Sequence, residues 1–568
     1  MCLRSIQKKW LGDKVLPKFE MKKINLSKLR QIMKKLKPSR SHGMDFIDSS
    51  SIKLAFPLIE EAVLHLVNQS ISSKKFSQLW KIQLVLPLHE KGDTMDGNNF
   101  RPVSHIIELV KIIEYVVHDQ VYNHFKSNHL FHANHHGFLG HHSTASALIQ
   151  LHHILMEAAE NKELTAALLL DLSAAFDIVD HGILLQKLEA YNFSNDSVEW
   201  FKSYLEDRTQ TVQVESKFSD PEPLAEHGVP QGSVLGPLIF IIFNNDFAAS
   251  GDEGVSILYA DDDTDLAHDD NPAGLKNKIQ REANRSTDWV ADNRMVCAGN
   301  KTKLMVIATN QLRRSRFRDQ NMQVTVCGAE IEDTKSEKLL GLVLNNQLSW
   351  KEYLYGETWR PEDNARGLIP QLSQRVGILS KIVKTMQPHR FSLFCNGLFY
   401  SKLLYCLQVF GHVWNIPNHD DLNRRYTAFT KEDNRKLQVI QNKVLRLKTG
   451  LPSETPTEIL LKTSGDLSVQ QLTAFTSLLT AQKSIYYQEP VYLAEHFKFN
   501  QVQNPRSENT IVPANYKLSV SRGGFFFRTT ALFNNLPPNL RRPMEPLAFK
   551  REIKPWIFRN TPIKPVSS

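Results

Sequence analysis

The sequence has 568 residues, of which 41% are hydrophobic and 23% charged, so it encodes a globular protein large enough for two to four domains. Its five cysteines stand far apart, with no C-x-x-C or Cys/His pairing at metal-ligand spacing, which argues against a disulfide framework and a zinc site and favours a reducing, intracellular compartment. No apolar run is long enough to span a bilayer and no signal-peptide core is present, so we expect neither membrane insertion nor secretion.

Positive charge is concentrated at the two ends of the chain. Residues 1–40 hold thirteen Lys and Arg against two acids, an excess larger than the +9 of the whole sequence. A second basic stretch closes the chain with Arg541, Arg542, Lys550, Arg551, Lys554, Arg559 and Lys564. Such ends suit phosphate backbones, but a membrane surface or simple solubility would explain them as well. Charge alone therefore leaves nucleic-acid binding open.

The first part of the chain predicts helices on either side of one strand. Apolar residues at intervals of three and four within residues 26–38, with Lys and Arg between them, predict a basic amphipathic helix. A second helical pattern covers residues 58–67 and a third covers 106–125. Between them, residues 83–88 read as a strand that ends in the polar loop 90–99.

The middle of the chain predicts strands that end in acids or turns. Residues 166–172 form an apolar run interrupted by Asp171, which is typical of a buried strand with an acid at its exit. Residues 212–214 suggest another strand. The segment 228–233 then predicts a turn that opens an apolar helix reaching Phe243.

Two further strands are predicted around an acidic turn. Residues 255–259 and 263–268 flank the adjacent carboxylates of Asp261 and Asp262. Paired acids at a hairpin turn, next to a strand that ends in Asp171, could hold two divalent ions about 4 Å apart for nucleotidyl transfer. Adjacent aspartates at turns are common, so the turn alone only suggests this chemistry. Chance does not readily produce all three features in this order along the chain: Asp171, the 228–233 turn and the acidic pair.

Several short motifs together identify a family. The segments 171–177, 228–238 and 259–262 resemble the three central palm motifs of reverse transcriptases encoded by non-LTR (LINE-like) retrotransposons. Further segments resemble the same family. They lie upstream at 91–93, 99–104, 137–138 and 142–144, and downstream at 300–303, 338–343, 348–350, 437–450 and 525–537. The resemblance thus extends over about residues 26–545.

The resemblance implies a set of metal ligands. Asp171 and Asp261 would bridge two Mg²⁺ ions, with Mn²⁺ as an alternative, and the carbonyl of Leu172 would assist. Asp262 would complete the acidic cluster. Solvent-facing acids are the alternative interpretation of all three carboxylates.

The resemblance also implies nucleotide contacts. Phe176 matches the aromatic residue that excludes a 2′-hydroxyl, which favours DNA as the product, although an ordinary core phenylalanine is the alternative. Arg101 and Lys91 match residues that hold the triphosphate, but Glu90 replaces a lysine that the family often has, so Lys91 could equally be a solvated loop residue. The positions of Gln231 and Gly232 match residues beside the nascent base pair, and a simple turn at a helix start is the alternative.

Some candidates have weaker motifs. Lys301 or Lys303 matches the late palm lysine that could protonate pyrophosphate as a general acid, while exposure to solvent is almost as good an explanation. Leu139 stands where the family often has arginine, so no contact is assigned there. A metal site is not expected at the histidines 135, 136, 141 and 142, which lack matching Cys or acid spacing.

We predict an α+β, right-handed polymerase with an antiparallel palm sheet backed by helices. Its divisions would be a basic N-terminal extension and start of the fingers (1–66), the reverse transcriptase domain with fingers and palm (67–346), a helical thumb (347–450) and a basic C-terminal region (451–568). Its activity would be RNA-directed DNA polymerisation, with an RNA template, a DNA primer or target and deoxynucleoside triphosphates as partners. The resemblance implies target-primed retrotransposition and a location in nucleus and cytoplasm.

Two alternatives remain open from the sequence. A decayed or repurposed copy could bind RNA without polymerising, which Glu90 and Leu139 allow. A polymerase that makes RNA is disfavoured by Phe176. Elements of this family usually encode an endonuclease upstream, and the sequence shows no such domain, no ribonuclease H pattern after residue 346 and no zinc knuckle. We therefore expect either a truncated copy or nicking by another protein.

Overall fold

The computed structural model describes residues 16–89, 92–224, 226–250, 254–318, 320–356, 367–414, 416, 428–500, 509–513 and 516–560. The chain divides into two compact units. The first unit comprises Met1–Phe138, Asp171–Asp252 and Asn284–Ala298, and the second comprises Leu139–Leu170, Glu253–Ala283 and Gly299–Ser568.

Strands of the described residues form two larger sheets and two hairpins. In chain order they are β1 Ile82–His89, β2 Phe100–His105, β3 Leu164–Asp171, β4 Thr209–Val214, β5 Lys217–Phe218, β6 Glu222–Pro223, β7 Val255–Tyr259, β8 Asp262–Asp269, β9 Lys303–Ile307, β10 Gln323–Val326, β11 Ala329–Glu332, β12 Ser336–Leu339 and β13 Leu342–Asn345. One sheet has the order β2-β1-β4-β5 with β6 on β4, and the other has the order β7-β8-β3-β9. Strands β10 with β11 and β12 with β13 form antiparallel hairpins.

Helices carry most of the remaining described residues. They are α1 Leu26–Lys35, α2 Ser49–Ser73, α3 Glu108–Ser127, α4 Thr144–Glu160, α5 His181–Ala190, α6 Asn195–Leu205, α7 Leu235–Phe243, α8 Pro272–Asp292, α9 Asn310–Leu312, α10 Lys351–Tyr355, α11 Leu368–Ile382, α12 Pro388–Cys395, α13 Ser401–Leu403, α14 Leu407–Phe410, α15 Lys431–Thr449, α16 Thr457–Ser464, α17 Val469–Tyr487, α18 Val491–Glu495, α19 Ser519–Arg522, α20 Phe525–Asn534 and α21 Pro546–Asn560. The predicted α+β class is confirmed. No helix of the described residues is both long and apolar enough to cross a membrane.

The basic helix predicted at the N-terminal end is present as α1. Its apolar face is buried, and the Asn25 side chain accepts a hydrogen bond from the Lys28 amide at its start. The helix ends at Lys35, earlier than predicted, because Pro38 disfavours helical backbone at the residue before it. Lys28 and Lys35 both pair with Asp119 of α3, at 3.0 and 2.7 Å. Part of the positive charge of this segment is therefore balanced inside the fold.

The second predicted helix is longer than the sequence pattern indicated. Residues 58–67 lie inside α2, which begins after Asp48, whose side chain accepts a hydrogen bond from the Ser51 amide at 2.6 Å. Pro57 lies within the helix and concealed this early start in the sequence. The helix runs across residues 66 and 67, where the sequence analysis set a domain boundary.

Helix α7 is the buried centre of the first unit. All of its residues except Pro237 are buried, as its unbroken apolar sequence predicts. Its last carbonyl, that of Phe243, accepts a hydrogen bond at 2.6 Å from the Lys187 ammonium, which is 1% exposed. The same ammonium pairs at 2.8 Å with Asp246, which is 2% exposed and also accepts from the Trp289 indole at 3.1 Å. A buried cation thus satisfies the carbonyl end of α7.

The second unit joins the β7-β8-β3-β9 sheet to the C-terminal helices. Strand β3 is buried along nearly its whole length and pairs antiparallel with β9. Arg528 of α20 is fully buried, and its guanidinium donates to the carbonyls of Gln408 at 2.6 Å, Gly411, and Gly523 at 3.0 Å. The C-terminal region that the sequence presents as basic therefore places one of its arginines inside the core.

Replacing Lys187 with methionine should destabilise the protein strongly. The substitution leaves the Asp246 carboxylate buried without its cationic partner, a loss that costs about 3–5 kcal/mol of unfolding free energy. Urea unfolding of the full chain, followed by tryptophan fluorescence, measures the effect. Lys202→Met is the matched control because Lys202 and Glu206 form an exposed pair at 3.7 Å, and its removal should change stability by less than about 0.5 kcal/mol. Equal effects of the two substitutions would contradict the assigned role.

Candidate active site

The first predicted carboxylate ends a buried strand. Asp171 is the last residue of β3 and is half-buried, while the residues before it are largely buried. Its backbone carbonyl accepts a hydrogen bond from the Ala298 amide at 2.8 Å. The buried strand and this hydrogen bond fix the backbone that carries the Asp171 carboxylate.

The carbonyl of Leu172 faces away from this hydrogen-bonded segment. Leu172 lies opposite Cys297 in an isolated antiparallel bridge, and the two bonds of that bridge are Ser173 to Val296 and Ala298 to Asp171. Neither the amide nor the carbonyl of Leu172 takes part, so both point to the other edge of the chain. This orientation suits the assisting role that the sequence analysis predicted.

Asp261 and Asp262 lie at a tight hairpin turn. Tyr259 pairs with Asp262, which leaves Ala260 and Asp261 as a two-residue turn between β7 and β8. Ala260 has a φ of +60°, a left-handed conformation that is uncommon for alanine and stores strain. Both aspartates are exposed. Burial and the Asp262 charge raise the pKa of Tyr259.

These donors fit a divalent metal ion. Strand β8, which begins at Asp262, is hydrogen-bonded to β3, which ends at Asp171. The candidate ligands are carboxylate and carbonyl oxygens, the hard donors that Mg²⁺ and Mn²⁺ accept, with no imidazole or thiolate among them. The donor set is therefore chemically suited to the divalent ions on which reverse transcriptases generally depend.

Within the first unit, the turn at residues 228–233, called here the 228–233 loop, is tied to the segment after Asp171. The amides of Gly228 and Val229 donate to the carbonyls of Val179 and Phe176 at 2.9 and 2.8 Å. The Gly228 carbonyl also lies 2.8 Å from Nε2 of His181. These hydrogen bonds thus join two backbone segments that are far apart in the sequence.

Asp177 connects the predicted nucleotide-binding residues of the first unit. Gln231 donates from its side chain to the Asp177 carboxylate at 2.7 Å. Burial raises the pKa of Asp177, while the hydrogen bond from Gln231 and the charge of Arg101 oppose that rise. Arg101, an exposed residue of β2, therefore lies close enough to act on the same carboxylate. The sequence analysis quoted Asp177 within a motif but gave it no role.

Gly232 allows the 228–233 loop to approach β2 closely. Its φ is +95°, and a Cβ atom there would lie 2.4 Å from the Ser104 carbonyl oxygen. Only glycine meets both conditions without moving the backbone. The predicted requirement for a small, flexible residue at this position has a direct structural basis.

Phe176 is half-buried between two other aromatic rings. It stacks on Phe240 of α7, with ring centroids 4.4 Å apart, and meets the edge of Phe138 at 6.0 Å. The stack fixes the ring from below while part of it remains accessible. This geometry accommodates both interpretations from the sequence, a packed core residue and a ring presented to a substrate.

Comparison of the sequence with protein families shows which family its central part matches. Residues 89–344 match the family described as "Reverse transcriptase (RNA-dependent DNA polymerase)". This part of the chain is a reverse transcriptase domain.

Individual relatives agree with this assignment. The chain is 26% identical over 442 residues to "RNA-directed DNA polymerase from mobile element jockey" of Drosophila melanogaster, covering 76% of this chain and 44% of the relative. It is 25% identical over 453 residues to "Probable RNA-directed DNA polymerase from transposon BS" of the same species, covering 76% and 45%. The resemblance to reverse transcriptases of non-LTR elements is confirmed. The chain spans less than half of the length of these relatives.

The remaining predicted residues of the reverse transcriptase domain lie in different surroundings. Lys91 is outside the described residues. Lys301 is exposed, and Lys303, the first residue of β9, donates to the Asn300 carbonyl at 2.8 Å. Leu139, for which no contact was assigned, is 8% exposed. Nothing in these contacts distinguishes a general acid from a surface lysine.

A cavity of about 470 Å³ adjoins the nucleotide-binding candidates in the first unit. Its walls include the side chains of Asp177 and Gln231 together with residues of β1, β2 and β4. Its wall mixes apolar and polar residues in similar numbers, with Arg208 and His181 among the polar ones. The Asp177 to Gln231 hydrogen bond thus lies at the wall of an open space rather than in a packed core.

Glu114 supports the 228–233 loop from below, and the sequence analysis missed it. This fully buried residue of α3 accepts hydrogen bonds from the Val234 amide at 2.7 Å and from the Tyr204 hydroxyl at 2.8 Å. The Val234 amide is an otherwise orphaned donor at the start of α7. An acid on the apolar face of a predicted helix was the available sequence signal.

The pH dependence of stability should reveal Glu114. Burial raises the pKa of Glu114 in the folded chain, with hydrogen bonds from Val234 and Tyr204 opposing it, so the folded state holds the proton more tightly than the unfolded state. Its contribution to stability is then complete below the unfolded-state pKa of about 4.3 and is lost as pH rises through the folded-state pKa. Glu114→Gln cannot titrate and should lack that decline.

Urea unfolding of the full chain between pH 4 and pH 8 measures this difference. Glu61→Gln, at an exposed position of α2, is the control and should keep the pH dependence of the parent chain. A decline in Glu114→Gln as steep as in the parent would contradict the role of this carboxylate.

Proposed function

We propose that this chain is an RNA-directed DNA polymerase of a non-LTR mobile element. The observation that carries the proposal is the tight β7–β8 hairpin of the second unit, which has Asp261 in its two-residue turn and Asp262 as the next residue. The names of the relatives, which are RNA-directed DNA polymerases of mobile elements, support the same activity.

Asp171, Asp261 and Asp262, with the Leu172 carbonyl, would hold two Mg²⁺ ions. Such ions, when bound, activate a primer 3′-hydroxyl and neutralise charge on the departing pyrophosphate. The contribution of the chain is to supply these oxygen ligands from the end of β3 and from the tight turn between β7 and β8. The strained turn at Ala260 turns the two adjacent carboxylates outward at a fixed position.

The first unit would bind the deoxynucleoside triphosphate. Arg101 would contact the triphosphate, with Lys91 as a second cation, and Gln231 and Gly232 would lie beside the new base pair. Asp177 would orient Gln231 and Arg101, because its carboxylate interacts with both. Phe176 would exclude the 2′-hydroxyl of a ribonucleotide. Lys303 or Lys301 would donate a proton to pyrophosphate.

The parts of the chain would be arranged as a right hand. Residues 67–346 would form fingers and palm, residues 347–450 a helical thumb, and residues 1–66 and 451–568 the flanking basic regions. The sheet β7-β8-β3-β9 supports the assignment of a palm, since its β7–β8 and β3–β9 pairs are antiparallel. An RNA template and a DNA primer at a target site would be the partners, in target-primed retrotransposition.

Asp261→Asn should abolish most of the activity. Loss of one metal-binding carboxylate removes transition-state charge stabilisation worth about 4 kcal/mol, or on the order of 10³-fold in kcat. Primer extension on an RNA template, with Mg²⁺ and deoxynucleotides, measures the rate. Asp220→Asn, at an exposed loop position, should polymerise as the parent does.

Two outcomes would refute the proposal. If the folded parent incorporated no deoxynucleotide, the polymerase activity would be wrong, and the chain would fit an RNA-binding protein instead. If Asp261→Asn kept the parent rate, the metal-binding assignment would be wrong.

Phe176→Val should relax the choice of sugar. The smaller side chain leaves room for a 2′-hydroxyl, so the preference for deoxynucleotides over ribonucleotides in kcat/KM should fall by about 10- to 100-fold, which corresponds to about 1–3 kcal/mol. Single-nucleotide incorporation of matched dNTP and rNTP pairs measures the ratio. Phe218→Val, at a partly exposed position of β5, should leave the ratio unchanged. A parent that prefers ribonucleotides would overturn DNA synthesis as the activity.

A further inference from the structure

Three side chains outside the candidate active site form a group with metal-ligand chemistry. His153 and Glu157 lie on one face of α4, four residues apart, and His496 follows the last residue of α18. One ligand atom from each lies within 4.8 Å of the others, the only such group of His, Cys, Asp and Glu found in the described part of the chain. Nε2 of His153 is 3.7 Å from the Glu157 carboxylate. All three belong to the second unit.

Hydrogen bonds hold both imidazoles in place and fix the tautomer of one of them. Nδ1 of His496 lies 2.7 Å from the Tyr492 backbone carbonyl, which can only accept, so this nitrogen carries the proton. The lone pair of the neutral ring is then on Nε2. Nδ1 of His153 is 2.6 Å from the hydroxyl of the same Tyr492. Residue Tyr492 thus contacts the Nδ1 side of both rings, an arrangement typical of metal-bound histidines.

The surroundings of the group are those of a partly enclosed site. His153 is 5% exposed, and the Phe526 ring stacks on His496 with centroids 4.5 Å apart. The Glu157 side chain is 51% exposed, so the group opens to solvent on that side. The Tyr516 hydroxyl is 2.6 Å from Nε2 of His153, beside the position that a fourth ligand would take.

We propose that His153, Glu157 and His496 bind a Zn²⁺ ion that links α4 to the C-terminal region. Two imidazoles and one carboxylate form a ligand set that zinc accepts with an oxygen atom in fourth place, whereas Mg²⁺ prefers oxygen donors alone. Ligand atoms of a tetrahedral zinc site are about 3.4 Å apart, so donors that all lie within 4.8 Å of one another need only small side-chain movements. The fourth oxygen comes from Tyr516 or from water. This site is separate from the proposed polymerase chemistry.

Zinc stoichiometry of the full chain tests the proposal. The protein is stripped of metal with a chelator and then dialysed against micromolar ZnCl₂. Mass spectrometry measures the bound zinc, and the melting temperature is measured on the same samples. His389→Gln, at an exposed position of α12, is the matched control. We expect the parent and this control each to bind one more zinc ion per chain than His496→Gln or Glu157→Gln. Zinc should raise the melting temperature of the first two proteins only, and the affinity of the other two should fall on the order of 100-fold.

The choice of variants keeps the result decisive. Many other histidines in the chain could bind zinc weakly, so the difference between variants counts and not the total. Glu157→Gln alters an exposed side chain and keeps its volume, so it remains informative if His496→Gln does not fold. Equal zinc content in all four proteins, or a parent that holds no zinc at micromolar concentration, would show that the group is a hydrogen-bonded cluster without a metal.

Discussion

The first unit depends on two buried ionisable side chains, Glu114 and Lys187, at the two ends of one apolar helix. The nine residues of helix α7 include no polar side chain. At its amide end, the Ser233 hydroxyl accepts from the Gly236 amide at 2.8 Å and Glu114 accepts from the Val234 amide. At its carbonyl end, the Lys187 ammonium donates to the Phe243 carbonyl. Both placements follow the helix dipole, which favours an acid at the amide end and a cation at the carbonyl end. Because both side chains are buried and hydrogen-bonded, removing either would leave a buried backbone group of α7 without that partner.

This constraint reaches the candidate nucleotide-binding residues directly. The 228–233 loop begins at backbone bonded to Phe176 and Val179 and ends where Glu114 holds the start of α7. Gln231 and Gly232 therefore lie on a loop fixed at both ends, and Phe176 stacks on α7 itself. Residues that contact a substrate bind it more strongly when they are already ordered in the folded protein, because no conformational entropy is then lost at each binding event. The buried acid and lysine thus help to fix the positions of candidate residues that they do not contact.

Sequence patterns predicted the local elements well because each carried its own signal. The strand that ends at Asp171, the hairpin around Ala260 and the amphipathic α1 follow from a continuous apolar run, turn residues and helical spacing. What the sequence could not give were partners distant along the chain. Glu114 and Val234 are 120 residues apart and Lys187 and Asp246 are 59 apart. A lone buried acid or lysine looks the same in a sequence as an exposed one until the fold brings its partner to it.

The folding unit also extends beyond the segment that the family match covers. The family match ends at residue 344, but the hydrophobic cluster of the second unit combines residues 147–156 of α4 with residues of α17, α20 and α21. Helix α4 is buried along most of its length, and much of its cover comes from chain after residue 450. Arg528 strengthens this connection, since its buried guanidinium satisfies carbonyls at the end of α14. The C-terminal region is therefore a structural requirement of the sheet that carries Asp261 and Asp262, because the helix packed against β7 loses its other face without it.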